Sequence, residues 1–294
     1  MSGIAKVGAD VPLDVLLARG DYRGHLPWDV DAPTPVADRW LESSFAPWHK
    51  SILESWATGA FDDLDTVVFT RGEDSTQRLY YYIRELQRRG ELGGPEAVIF
   101  DIARVERASS AARTVHAVRK LAEQLGIDED ALERGIAAAN AQRTGAAAPA
   151  SDRRTCLLAG TPQPDLRLHL RVAAAGWHPV GPTLADVVDD AGPAVATNSD
   201  DPATAIAAQL RDHARSARAF RDHAAVLRTD VAAAQAQAVV IWLIEEEEAM
   251  LWELPAQVAA LDADGIPVLQ LTRRRWDATD GAGDDIAAFL ASLA

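Results

Sequence analysis

The sequence predicts an α/β protein made of two parallel-sheet lobes, and three observations carry that reading. Short runs rich in β-branched and aromatic residues alternate with longer amphipathic stretches. The runs are apolar throughout, the pattern of strands covered on both faces. Thr144 to Asp152, "TGAAAPASD", breaks the alternation once with small, proline-punctuated sequence that has no apolar face, and the pattern then restarts. A chain of 294 residues is long for one domain and comfortable for two. The lobes are therefore expected at 1–147 and 148–294.

The elements follow in order. Asp65 to Thr70, "DTVVFT", reads as a buried strand. Ser75 is the expected N-cap of a helix over Thr76 to Arg88, whose Leu79, Tyr82, Ile83 and Leu86 form one stripe. Ala97 to Ile102 is a second strand. Ser109 or Ser110 opens a helix through Leu125, and Asp128 opens another to about Gln142. After the linker, Thr155 to Ala159 is a strand and Leu166 to Ala175 a helix ended by Gly176. "WHPVG" (Trp177 to Gly181) reads as a short strand. Pro202 to Gln237 is a long Ala- and Arg-rich helical region. Ala238 to Ile244 is the most apolar strand, followed by four glutamates and a helix expected over Ala249 to Ala263. Gly265 ends that helix, Ile266 to Thr272 is a further strand, and a last helix runs from about Asp284 to Leu293.

Composition narrows the function classes. Hydrophobic residues make up 48% and charged residues 25%, an ordinary soluble balance. The formal net charge of -15 repels phosphate backbones, so nucleic acid is not an expected partner. The single cysteine, Cys156, can form no internal disulfide and cannot by itself hold an iron–sulfur cluster. No run approaches the ~20 apolar residues that span a bilayer, and Met1 to Asp10 lacks a signal-peptide core. A cytoplasmic location, away from membranes, is expected. The seven histidines show no H-x-x-x-H spacing, and no G-x-G-x-x-G, P-loop or G-x-S-x-G occurs.

Ligands of open α/β sheets bind at the carboxyl ends of strands. Two stretches sit there: Arg71-Gly72-Glu73-Asp74-Ser75, and the run Glu245 to Glu248. If the lobes face each other, both line one cleft. A helix dipole also favours acids in a first turn, so Glu246 to Glu248 equally read as the start of the next helix, and Asp74-Ser75 as a plain cap. Four adjacent carboxylates exceed what a cap needs. Arg273-Arg274-Arg275-Trp276 is the best basic cluster, suited to a phosphate or to a solvent-facing loop. Tyr80-Tyr81-Tyr82 cannot all lie on one helical stripe, so at least one faces outward or a partner.

A family resemblance runs through nearly the whole chain. "GADVPLDVLLARG" (Gly8 to Gly20), "FDDLDTVVFTRGEDSTQRLYYYIRELQRRG" (Phe61 to Gly90), "AVIFDIARVERASSAARTVHAVRKLAEQLG", "TCLLAGTPQPDLRLHLRVAAAGWHPVG" and "WLIEEEEAMLWELPAQVAALDADGIPVLQLTRRRWD" resemble, in this order, the blocks of the 2-hydroxyacyl-CoA dehydratase and benzoyl-CoA reductase family. The resemblance implies two Rossmann- or flavodoxin-like lobes facing across a cleft. It implies an acyl-CoA thioester as substrate and a [4Fe-4S] cluster held by three cysteines and charged by an activator protein. This chain departs from the family at those ligands. They would fall near Ser44 to Ala46, near Glu73, and near Glu246 or Glu247, and none is cysteine.

Three functions fit that departure. One is a cluster-less subunit of an acyl-CoA dehydratase or reductase complex, paired with a paralogous subunit that carries the [4Fe-4S] cluster. A second is a stand-alone acyl-CoA enzyme using Glu73, Asp74, Glu246 and Glu247 for acid–base or metal chemistry. A third is a non-catalytic acyl-CoA-binding or regulatory protein. Arg71, Ser75 and Arg274 are the expected contacts for the CoA moiety.

Overall fold

The computed structural model describes residues 3–105, 107–143, 152–213 and 222–293. They form an α/β protein with two four-stranded parallel sheets. The chain divides into two compact units, 1–146 with 188–220, and 147–187 with 221–294. The boundary near 147 is where the linker sequence places it, though most of that linker lies outside the described residues. The second lobe is not the contiguous 148–294 that was expected, because 188–220 belongs to the first unit.

The first unit opens with β1 (Gly3–Val7), α1 (Leu13–Ala18) and β2 (Tyr22–His25). A 3₁₀ turn at Ala37–Arg39 leads to α2 (Pro47–Ala57), β3 (Leu64–Thr70), α3 (Asp74–Arg88) and β4 (Glu96–Phe100). α4 (Ala108–Gln124) and α5 (Glu129–Gln142) follow. The sheet order is β2-β1-β3-β4. Alternation along the strands divides the core between the two faces of the sheet. Ile4 and Val68 pack with Val15, Leu16, Val118, Leu121 and Ile136 from α1, α4 and α5. Ala5, Val7, Val67 and Phe69 pack with Ile52, Leu53, Trp56, Leu79 and Ile83 from α2 and α3.

The second unit contains β5 (Thr155–Gly160), α6 (Arg167–Ala174), β6 (His178–Val180) and most of α7 (Leu184–Asp189). After an excursion through α8 (Pro202–His213), it resumes with α9 (His223–Ala234), β7 (Ala238–Ile244), α10 (Leu254–Ala263), β8 (Val268–Arg274) and α11 (Ala282–Ser292). Its sheet order, β6-β5-β7-β8, repeats that of the first. Every residue of β7 is buried, as its unbroken apolar run requires. Leu157, Val239, Ile241 and Leu243 meet Leu227 and Val231 of α9 and Leu254 and Leu261 of α10.

The excursion has a simple cause. Ala203, Ile206, Ala207 and Leu210 form the apolar stripe of α8 and complete the core made by α4 and α5. Only the ends of the helical region expected over Pro202 to Gln237 are therefore seen, since 214–221 lie outside the described residues. Other helix starts shift slightly. α3 begins at Asp74 with Glu73 as its N-cap in place of Ser75, and α4 begins at Ala108 after Arg107. Asp128 does cap α5, accepting from the Ala131 amide at 2.8 Å. Of the three tyrosines, Tyr81 is exposed, while Tyr80 and Tyr82 are half-buried.

α1 crosses α5 at very close range. A Cβ added at Gly135 would stand 2.1 Å from the Asp14 carbonyl oxygen and 2.8 Å from the Ala18 Cβ. Asp14 is wholly buried and takes two hydrogen bonds from Arg143, at 2.8 and 2.7 Å. Gly135→Ala is expected to force the helices apart and lower unfolding stability by about 1–3 kcal/mol despite alanine's better helix propensity. Urea denaturation of the variant checks this, and unchanged or raised stability would contradict the close crossing.

Candidate functional site

Parallel sheets with the order second-first-third-fourth have a switch point between the first and third strands, where successive connections leave on opposite sides. In the first unit it lies between β1 and β3, and the loops there are Gly8 to Pro12 and Arg71 to Glu73. Gly8 has φ +84°, and a Cβ on it would lie 2.3 Å from Thr70 Cγ2. Only glycine lets the strand ends approach this closely. Asp10, itself at φ 60°, pairs with Arg104 at 3.4 Å, both side chains nearly buried.

The β3–α3 loop brings Arg71, Glu73, Asp74 and Ser75 together. The Arg71 amide donates to the Phe100 carbonyl at 2.9 Å, and its guanidinium holds Asp101 at 2.9 Å. Glu73 accepts from the Thr76 hydroxyl at 3.0 Å. Thr76 Oγ1 lies 2.9 Å from His49 Nε2. Because the hydroxyl proton goes to Glu73, Thr76 accepts from His49, so Nε2 carries the imidazole proton. His49 Nδ1 is then a bare acceptor with no hydrogen-bond partner among the described residues. Its ring is buried beside Phe45 and Trp48, and that burial pushes its pKa down to about 3. Asp74 is exposed in the first turn of α3, 4.0 Å from Arg78, and Ser75 is half-buried beside it.

Ser44 to Ala46 approach the same helix. Ser44 Oγ accepts from Arg78 at 3.2 Å, and the Arg78 guanidinium lies 4.3 Å from the Phe45 ring centroid. Arg78 also pairs with Glu42. Phe45 is core, and Ala46 is the N-cap of α2.

In the second unit the switch point lies between β5 and β7. Gly160 repeats the role of Gly8, at φ +96° with a Cβ position 2.4 Å from the Trp242 carbonyl oxygen. The Thr161 amide donates to that same carbonyl at 2.8 Å. Gln163, in the same loop, is buried and gives its amide to the Thr161 carbonyl at 3.2 Å, leaving Oε1 without a partner among the described residues.

The four glutamates occupy the loop after β7, and the reading of them as a helix's first turn is corrected. Residues 249–253 form turns, and α10 starts only at Leu254, where Pro255 suits the helix entry. Glu245 and Glu248 are exposed, while Glu246 and Glu247 are half-buried. The Glu247 carboxylate accepts from the Met250 amide at 3.2 Å and from the Ala249 amide, so it caps the turn. Burial pushes its carboxyl above the ordinary range, and the two amides only partly offset this. Glu73 and Asp74 thus belong to the first unit, and Glu246 and Glu247 to the second.

The arginine cluster is paired within its own unit. Arg274 pairs with Asp285 at 2.5 Å and donates to the Asp280 carbonyl at 3.3 Å, and Arg275 pairs with Asp277 at 2.8 Å. These guanidiniums pair with acids of their own unit, as the solvent-facing reading of that loop describes.

An iron–sulfur cluster does not fit the residues present. Its usual ligands are thiolates. The positions in question hold a hydroxyl engaged by Arg78, a core phenylalanine, an alanine and carboxylates. Cys156 lies buried on β5 with its thiol pushed up to about 12 by burial, far from the thiolate form. Among the described residues no His, Cys, Asp or Glu group is arranged to hold a metal, and no helix is long and apolar enough to cross a membrane.

Sequence reasoning passed over His49, Lys6 and Asp10. Gly8 and Gly160, each four residues before a proline, were the available signal for both switch points. His49 generates a prediction. A histidine held neutral by the fold favours the folded state fully above the unfolded pKa, near 6.5. That stability is lost as pH falls from there toward about 3, because only the unfolded chain takes the proton. Wild type minus His49→Gln stability should fall by up to roughly 1.4 kcal/mol per pH unit across that window. Chemical denaturation at pH 7, 6 and 5 checks it, and a flat difference would show that His49 titrates normally.

No family model matches this chain, and no curated protein does. Among solved structures, the substrate-binding protein FpvC from Pseudomonas aeruginosa, in complex with Mn2+, aligns at 14% identity and a TM-score of 0.25. The alignment covers 99% of this chain and 96% of that one.

Proposed function

We propose that this chain is a cluster-less component of a 2-hydroxyacyl-CoA dehydratase-type complex, acting on an acyl-CoA thioester in the cytoplasm beside a paralogous subunit that holds the [4Fe-4S] cluster. The observation that carries the reading is where the substituted ligand positions fall. Glu73 and Glu246–Glu247 stand on the loops that end the third strand of each sheet, at the switch points where α/β sheets bind ligands. Ser44 and Phe45 contact the helix that follows the first of these loops. On this reading each unit keeps its own switch-point loop, with carboxylates where the family's thiolates would stand. The chain's contribution is then architectural, with Arg71 at the edge of the acyl-CoA site.

One observation favours a second reading, a stand-alone acid–base enzyme. Glu247 is a half-buried carboxyl with a raised pKa at a strand's carboxyl end, the environment of a general acid.

Anaerobic purification of the chain alone, and co-expressed with a cysteine-bearing paralogue, separates the readings. The chain alone should carry no iron or acid-labile sulfide, and the co-purified complex should carry both. Stoichiometric iron and sulfide on the isolated chain would sink the proposal, as would failure of any paralogue to co-purify. If the isolated chain instead turns over an acyl-CoA and Glu247→Gln lowers kcat by about 10²-fold, the acid–base reading takes its place.

A further inference from the structure

The chain re-enters the first unit at Val188, and four elements of that unit grip Val188 to Val195. From β1, Lys6 Nζ donates to the Val188 carbonyl at 2.6 Å and lies 3.7 Å from Asp189. From β2, His25 Nδ1 stands 3.0 Å from both Asp189 oxygens. From α8, His213 Nε2 is 3.0 Å from Asp190, and Gln209 donates to the Ala191 carbonyl at 2.9 Å. At the end of α5, Arg143 donates to the same carbonyl at 3.0 Å, and Asn140 bonds both the amide and the carbonyl of Val195. The segment lies flat on α8: a Cβ at Gly192 would be 2.4 Å from the His213 ring.

Two of these holds are histidine–aspartate pairs, and they secure adjacent residues. We propose that Val188–Val195 is a proton-strengthened clasp, tightened onto the first unit when His25 and His213 are protonated and loosened when they are neutral. A neutral imidazole gives each carboxylate one ordinary hydrogen bond, whereas an imidazolium gives a charge-assisted one. Imidazoles change charge within the physiological range.

The surroundings set the sign. His25 faces Asp189, the Lys6 ammonium that shares this carboxylate, the Tyr22 phenol of its own strand and the stacked Trp28 ring, 4.8 Å away. His213 faces Asp190 and shares a small recess with Lys6, Asp10 and Arg143. Burial alone would raise the Asp189 carboxyl, but the His25 hydrogen bond and the Lys6 charge outweigh it and hold the group below the usual carboxylate range. Asp189 is therefore still an anion when the imidazole gains its proton. The clasp is tighter at pH 6 than at pH 8 and weakens again only when the carboxylates are neutralised.

Hydrogen–deuterium exchange of the whole chain tests this on peptides covering 188–195, corrected for intrinsic exchange rates. The Gly192 and Val195 amides, which bond Asp190 and Asn140, belong to that reading. Both pairs are partly exposed, so a modest effect is expected: roughly threefold to tenfold more protection at pH 6 than at pH 8, with β3 unchanged. His25→Gln with His213→Gln should abolish the difference. Equal protection at both pH values in the wild type overturns the proposal, and so does a difference that survives in the double variant. If the double variant does not fold, each single variant and Asp190→Asn must reduce the difference, and one that leaves it whole also overturns the proposal.

Discussion

The ion pair between Asp14 and Arg143 organises the first unit. A carboxylate with no solvent contact persists as an anion only if its partner satisfies it fully, and the Arg143 fork does so with two short bonds. That requirement fixes where α1 lies against the end of α5. The fixed crossing explains Gly135, since no other side chain fits between the two helices. It also aims the rest of the guanidinium at Asn140 and the Ala191 carbonyl, so the same residue anchors the returning segment. A buried pair like this stabilises little over an apolar substitute of the same shape, but losing one partner leaves a bare charge in the core.

Both units use one plan. Each sheet runs second-first-third-fourth, and each first strand ends in a left-handed glycine pressed against the third strand. Each third strand is followed by glutamate: Glu73 in one unit, Glu246 and Glu247 in the other. The local chemistry differs. Glu73 is tied through the Thr76 hydroxyl to a histidine kept neutral by burial. Glu247 closes a turn by accepting backbone amides. A repeated backbone thus presents two carboxyl environments, one braced by side chains and one by main chain.

Strongly periodic segments were legible in the sequence, because apolar runs such as Val239 to Ile244 have no alternative to burial. β1 was not legible: Lys6 interrupts its pattern, and nothing local announces that this ammonium is held by a carbonyl far along the chain. The late start of α10 was hidden for a related reason. The run from Ala249 to Leu254 has helical composition, but Glu247 satisfies the Ala249 and Met250 amides before Pro255 sets the helix entry. Arg71, Glu73, Asp74 and Ser75 were placed correctly at a strand end, since strand and loop are contiguous. The fate of Arg274 depended on Asp280 and Asp285, whose approach is set by the fold of α11 and cannot be read from spacing.

The return of 188–220 to the first unit also bears on how the protein is made. The ribosome delivers β1 to α5 first, but α8 is needed to cover Val118, Leu121 and Ile136. The core of the first unit cannot close until α8 has emerged, by which time β5, α6 and β6 are already outside without their partner β7. The first unit therefore waits for α8 while β5 and β6 of the second are already outside, and cutting the gene at the linker would separate α4 and α5 from the helix that completes their core.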